Sequence, residues 1–309
     1  MTTEQFRWSA GGEYESYVGR WSRLVADEFV RWLDLRPGRR IIDVGCGTGA
    51  LTTTLLRQAE PSAIVGVDPS AGFIDHVRAQ TTDPRATFAI ASAESLPFDD
   101  EAFDVAVSGL VLNFVSDPPR GAAESARIVR PGGCVAAYVW DYAGRMELIR
   151  HFWDAAVALD PAAESLDEGT RFPICNPLAL AELFTGAGLL EVETREIVVP
   201  TVFGSFDDYW RPFLSGEAPA PGYAMSLSEE RRVALRERIR ERLPIAQDGA
   251  ISLAARAWAV RGMKKRPVGR AFVDERRCRT EVWHRDEDKW AATYSPGRLP
   301  SEYHRPWRA

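Results

Sequence analysis

Apolar positions in the first half of the chain come in short unbroken runs separated by longer stretches with helical spacing. "RIIDVG" (40–45), "AIVGVD" (63–68), "ATFAIAS" (86–92), "FDVAVSGL" (103–110) and "CVAAYVW" (134–140) are the runs, the last following the turn "RPGG". Runs this short, rich in Val and Ile and bounded by turn residues, predict strands buried on both faces. Between them, "GALTTTLLRQA" predicts a helix that starts at a glycine loop, and "AGFIDHVRAQ" one that follows Pro69 and Ser70. Upstream, "ADEFVRWLDL" (26–35) reads as the end of an amphipathic helix stopped by Pro37 and Gly38. Strands alternating with helices every 20 to 30 residues predict an α/β fold with a doubly wound, mostly parallel sheet.

Beyond residue 140 the rhythm changes. "MELIRHFWDAAVAL" and "PLALAELFTGAG" have helical spacing, whereas "LEVETREIVV" and "AISLAARAWAVRG" alternate like two further strands, which makes seven. The stretch between those two, about 203–249, is too long for a hairpin loop. It holds a helix of its own, with Leu235, Ile239 and Leu243 on one stripe. Together with 141–176 it predicts a helical cover over the edge of the sheet where ligands bind. Residues 1–263 then form one domain. Residues 264–309, with 12 Lys and Arg against seven Asp and Glu and no sustained apolar period, read as a basic, loosely ordered extension.

Composition narrows the function classes. A net charge of −6 disfavours nucleic acid as a partner. No apolar run approaches the roughly 20 residues of a membrane span. The four cysteines lie far apart and the N-terminus lacks a secretory layout, which points to a reducing cytoplasm. Four scattered histidines give no basis for a metal site. Basic residues are 35 Arg against 3 Lys, so a single arginine carries little weight as a sign of binding.

The chemistry concentrates in "IIDVGCGTGAL" (41–51). Gly45, Gly47 and Gly49 let the chain turn sharply and a ligand lie against bare backbone. The helix that follows would offer N–H groups to an anion. Read as Gly-x-Gly-x-x-Ala, the loop also fits the dinucleotide fingerprint, so an NAD-dependent oxidoreductase is one reading. Its neighbours decide. Asp43 sits where a dinucleotide strand carries an apolar residue; its carboxylate would repel a diphosphate and attract a cationic amino group. Asp68, 23 residues beyond Gly45, closes the second strand, where a carboxylate can accept both hydroxyls of a ribose.

Four blocks in order, "DVGCGTG", "VDPS", "SAESLPFDDEAFDVAVS" and "ESARIVRPGG", resemble the motifs of the class I S-adenosylmethionine-dependent methyltransferases, and within them the branch of the quinone-biosynthesis enzymes. The resemblance covers roughly residues 14–262. It implies the Rossmann-like methyltransferase fold with N-terminal helices, and S-adenosylmethionine as cofactor. It assigns Asp43, Gly45, Gly47 and Gly49 to the methionine end of the cofactor and Asp68 to the ribose, with Cys46, Pro69 and Ser70 as further cofactor-binding positions. Ser92, Ala93 and Glu94 fall at the adenine rim, and Leu110 faces the cofactor. Ser92 departs from the family's usual Asp, which weakens the side chain's hold on adenine. "YESYVGRWSRL" resembles the helix that closes over the methionine moiety, making Tyr17 and Arg20 candidates for its carboxylate.

A methyl group on a sulfonium is already activated, so alignment and water exclusion suffice and no fixed catalytic residue is implied. His151, Asp141 and Asn113 are the candidates near an acceptor proton, with Tyr142, Arg171 and Phe172 as pocket residues. The [N/D]-P-P-[Y/F] signature of enzymes that methylate amino groups of nucleic acid or glutamine is replaced here by Ser108, Gly109, Leu110 and Val111. The Asp117–Pro118–Pro119 look-alike comes too late and reads as a proline turn before a helix. The expected acceptor is therefore a small molecule, flat or apolar to suit the aromatic-rich cover. A cofactor-binding domain without catalysis, serving a partner protein, is the third reading. These motifs encode neither the methylated atom nor the oligomeric state.

Overall fold

A computed structural model describes residues 19–216 and 218–266 of the 309-residue chain. Tyr17 and the extension from residue 267 onward lie outside the described residues. The first described helix, α1 (Arg20–Leu33), buries Trp21, Val25, Ala26, Phe29, Val30 and Leu33, the one-sided spacing of a helix laid on a sheet. Then follow β1 (Arg40–Val44), α2 (Ala50–Gln58), β2 (Ala63–Asp68), α3 (Ala71–Gln80), β3 (Ala86–Ile90), β4 (Phe103–Gly109), α4 (Pro118–Ile128) and β5 (Val129–Trp140). The second half holds α5 (Glu147–Leu159), α6 (Glu168–Arg171), α7 (Pro177–Gly186), β6 (Leu189–Phe203), α8 (Phe206–Trp210), α9 (Pro219–Ser226), α10 (Glu229–Arg242) and β7 (Ile251–Lys264).

The seven strands form one sheet in the order β3-β2-β1-β4-β5-β7-β6. Strands β1 to β5 pair in parallel, and β7 runs antiparallel between β5 and β6. This is the expected doubly wound, mostly parallel sheet, with the helical insertion between the last two strands. Ile41, Ile42, Ile64, Val67 and Val139 are fully buried at its centre. Each such side chain contributes roughly 1.5–3 kcal/mol relative to exposure.

One local detail differs from the sequence reading. The "RPGG" segment, expected as a turn before the fifth strand, lies inside β5. Gly132 takes φ +74° there, and the register against β4 shifts between Phe103 and Val105. The bulge absorbs the glycines without ending the strand. Asp117, as expected of a proline turn, caps α4 by accepting from the Arg120 N–H at 3.1 Å. In the insertion, Leu235 and Ile239 are fully buried and Leu243 nearly so, as their stripe predicts.

The carboxyl ends of the parallel strands, and of β6, share one edge of the sheet. That edge carries the glycine loop.

Candidate functional site

Parallel pairing sets Asp43 of β1 beside Gly66 and Val44 beside Val67, so the chain leaves β1 next to the end of β2. Gly45, Gly47 and Gly49 then take φ of +78°, +51° and +87°. These are left-handed values that favour glycine. Space adds a second constraint at Gly45, where a Cβ would lie 2.4 Å from a Val111 methyl carbon, and at Gly49, where it would meet Val77 at 2.6 Å. Gly47 has open space at the same position.

The loop's amides are spent internally. Gly45 and Cys46 both donate to the Val67 carbonyl, at 2.7 and 2.9 Å, and Gly49 donates to the Cys46 carbonyl at 2.8 Å. Gly47 donates to Asp68 Oδ2 at 3.1 Å. These four amides therefore offer no free donor to a diphosphate. Two acids flank the loop instead. Asp43 is 1% exposed; its Oδ2 accepts from the Thr52 hydroxyl at 2.6 Å, and its Oδ1 has no hydrogen-bond partner among the described residues. Burial pushes its carboxyl up to about 7, opposed by the Thr52 bond and reinforced by the nearby Asp68 charge. Asp68 is held by the N–H groups of Gly47 and Ser70, the latter at 2.9 Å on Oδ1, and burial raises it too. Each of its oxygens keeps a lone pair for a further donor.

The adenine-rim candidates fall beside this pair. The Ala91 N–H donates to the Asp68 carbonyl at 3.2 Å, which brings the end of β3 against the end of β2. The Ser92 hydroxyl accepts from the Glu94 N–H at 3.2 Å, and the Glu94 carboxylate accepts from the Asp117 N–H at 3.0 Å. Both side chains thus shape a turn, with Ala93 between them. Ser70 caps α3 and Pro69 is exposed ahead of it. Leu110 takes φ +63° just past β4 while its N–H donates to the Tyr138 carbonyl at 2.7 Å. A leucine held there stores roughly 1–3 kcal/mol of strain, a cost that clusters at functional sites.

Several candidates have other employment. The Cys46 thiol packs with Ile74, Val77 and Phe88, so only its backbone belongs to the loop. Arg20 reaches Asp208 at 3.3 Å and stacks on the Trp21 and Phe203 rings at 4.2 and 4.8 Å. Phe203 ends β6, four strands from β1 and so roughly 19 Å away at ordinary strand spacing. Arg20 thus braces the cover, while its Nε and Nη2 are buried without a hydrogen-bond partner among the described residues. Asp141, the candidate near an acceptor proton, is held from several sides. Its carboxylate takes Arg256 at 2.7 Å and the N–H groups of Gly144 and Arg145, which leaves it a structural clamp between β5 and β7. His151, half-buried on α5, faces Glu147, Asp154 and Arg242, and none of these belongs to the loop. Asn113, 9% exposed, sits in the 3₁₀ turn Leu112–Phe114; neither its amide nitrogen nor its oxygen has a partner among the described residues.

That turn starts an aromatic run. Phe114, 47% exposed, meets Phe172 edge-on at 5.3 Å between centroids, and Phe172 meets Tyr142 at 5.5 Å. Phe152, Trp153, Tyr209 and Phe213 are by contrast fully buried and pack on one another. Sequence reasoning missed Thr52, one of three consecutive threonines. It also missed Glu168, a 2%-exposed acid on α6 that accepts from the Trp153 indole N–H. Among the described residues no group of His, Cys, Asp and Glu is arranged for a metal ion, and no helix is long and apolar enough to cross a membrane.

Residues 42–137 match the family model described as a methyltransferase domain. The demethylmenaquinone methyltransferase of Symbiobacterium thermophilum is 30% identical over 217 residues, which cover 60% of this chain and 81% of that protein. The ubiquinone/menaquinone biosynthesis C-methyltransferase of Geobacter sulfurreducens is 38% identical over 119 residues, 37% of this chain and 45% of that one. The chain spans 30% of the length of an uncharacterized 37.1 kDa protein in a transposon of Streptomyces fradiae. In fold it resembles the structure of a putative methyltransferase from Bacillus halodurans, with a TM-score of 0.53, 14% identity, and coverage of 78% of this chain and 98% of that one. Two buried carboxylates, one oxygen of which has no partner among the described residues, beside a loop with four amides already spent suit a cationic nucleoside and not a dinucleotide. The chain belongs to the class I S-adenosylmethionine-dependent methyltransferases, and S-adenosylmethionine is its cofactor.

Proposed function

We propose that this methyltransferase acts on a small, flat, largely apolar acceptor, and that it works by positioning and water exclusion without a dedicated general base. The observation that carries the reading is the continuity of chain from the cofactor side to an aromatic wall. Val111 packs over Gly45, and three residues later Phe114 stands half-exposed against Phe172 and Tyr142. Flat apolar molecules stack on such rings at little conformational cost. Asn113, between Val111 and Phe114, adds one buried donor and acceptor set suited to a single polar group on the acceptor. The wider aromatic pocket expected from the whole cover narrows to this run, because the remaining rings fill the cover's own core.

Each site residue has a defined task in this reading. Asp43 receives the cationic amino-acid end of the cofactor, Asp68 the ribose, and the Ser92–Glu94 turn borders the adenine. Leu110 and Val111 press the chain against the loop so that cofactor and acceptor meet without water. When bound, S-adenosylmethionine supplies an activated methyl group. Alignment of that kind is worth about 7–11 kcal/mol in favourable cases. Relatives named for demethylmenaquinone and for ubiquinone/menaquinone biosynthesis support an acceptor of this class. The acidic balance of the chain supports a small molecule over a nucleic acid, and its free, buried Cys46, Cys134 and Cys175 support a reducing cytoplasm.

Incubating the protein with methyl-labelled S-adenosylmethionine and a fractionated metabolite extract tests the acceptor class. Label should appear in the solvent-extractable aromatic fraction, and Phe172→Ala should raise KM for that fraction while leaving S-adenosylhomocysteine affinity intact. Label recovered only in RNA or protein would overturn the reading.

A further inference from the structure

We propose that Thr52 is a positioning residue for the cofactor: its hydroxyl holds one oxygen of Asp43 so that the other stays available to the cofactor's cationic amino-acid end. The inference rests on the assignment of Asp43 to that end. In a helix a threonine hydroxyl commonly donates back to the carbonyl four residues earlier, as Thr185 does to Ala181 at 2.8 Å. Thr52 donates instead to Asp43 Oδ2, nine residues upstream, at 2.6 Å. It is fully buried near the start of α2, so no water competes for that bond.

Beyond that hydroxyl, the Thr52 backbone N–H also favours the Asp43 carboxylate, and a valine at this position would retain it. Asp68 faces it from β2 with a like charge, and the Cys46 thiol lies beside it on the loop. From β4, the Ser108 hydroxyl is spent on the Val44 carbonyl at 2.8 Å. No arginine or lysine among the described residues forms an ion pair with it. Of its two oxygens, one is fixed by Thr52 and the other has no partner among the described residues. A side chain anchored at one oxygen keeps its orientation before the ligand arrives, which lowers the cost of binding. The same bond opposes the burial that raises the Asp43 carboxyl to about 7, and therefore keeps more of it ionised at neutral pH.

Calorimetric titration of the full-length protein with S-adenosylhomocysteine, which carries the same ammonium group, tests the proposal between pH 6 and 8.5. Wild type should bind more weakly as pH falls below about 7, where Asp43 takes up a proton. Thr52→Val should shift that weakening to higher pH, costing on the order of tenfold in affinity at pH 7 and less at pH 8.5. Thr52→Ser should restore the wild-type curve. Thr52→Ala serves as the second hydroxyl-free variant if the valine does not fold. A curve that superimposes on wild type would overturn the role, and so would a loss equal at every pH, which marks packing alone. Asp43→Asn separates the layers. If it binds as wild type, the assignment of Asp43 fails; if it loses affinity while Thr52→Val does not, only Thr52 is misassigned.

Discussion

Glu168 is a carboxylic acid inside the cover, with the Trp153 indole N–H as donor, and burial pushes it up to about 7 from its usual 4.5. Because folding favours its neutral form, its contribution to stability is complete below about 4.5 and is lost as pH rises through 7. Glu168→Gln keeps an oxygen for the indole but cannot ionise. Its melting temperature should therefore gain on wild type between pH 5 and 8, as read by scanning calorimetry; parallel curves would contradict the assignment. Asp43 has the same sign over the same window, so this comparison is made within one variant pair at fixed ligand-free conditions. Asp68 is predicted to matter through hydrogen bonds. Asp68→Ala should weaken S-adenosylhomocysteine binding by about 1–3 kcal/mol, the scale for bonds to a charged group. An unchanged dissociation constant would show that the ribose lies elsewhere.

Among elements, the loop between β1 and α2 makes the sharpest distinction. Gly45 suffers both a positive φ and a Cβ clash with Val111, whereas Gly47 suffers the first alone. Gly45→Ala should lower the melting temperature and cofactor affinity more than Gly47→Ala, and adding Val111→Ala should recover part of the Gly45 loss. Equal effects would mean that Val111 does not press on the loop. The loop, β2 and most of the other strands were legible in the sequence, because strands buried on both faces leave uninterrupted apolar runs. The start of β5 was not, since its glycines mimic a turn and only the paired strand shows that they lie within the strand. Long-range partners were equally invisible. Arg20 meets Asp208 across 188 positions and Asp141 meets Arg256 across 115, so the candidates looked free along the chain. The two loop acids were readable because their role depends on local position at strand ends.

For the molecule as a whole, we propose that the chain binds the cofactor without the basic extension. Arg266, the last described residue, packs against Gly132 of β5. A chain ending after it should keep the wild-type dissociation constant for S-adenosylhomocysteine, and a tenfold loss would assign the extension to the site. One feature of the sheet reaches further. The ladder between β6 and β7 runs without a break from Glu193↔Arg261 to Phe203↔Ile251, so both feet of the helical insertion stand side by side on a finished edge. Chain grafted onto adjoining feet can be lengthened or shortened at small entropic cost, each doubling adding only about 0.6 kcal/mol. The insertion can thus change in length, by drift or by design, while the strands beneath it keep their pairing.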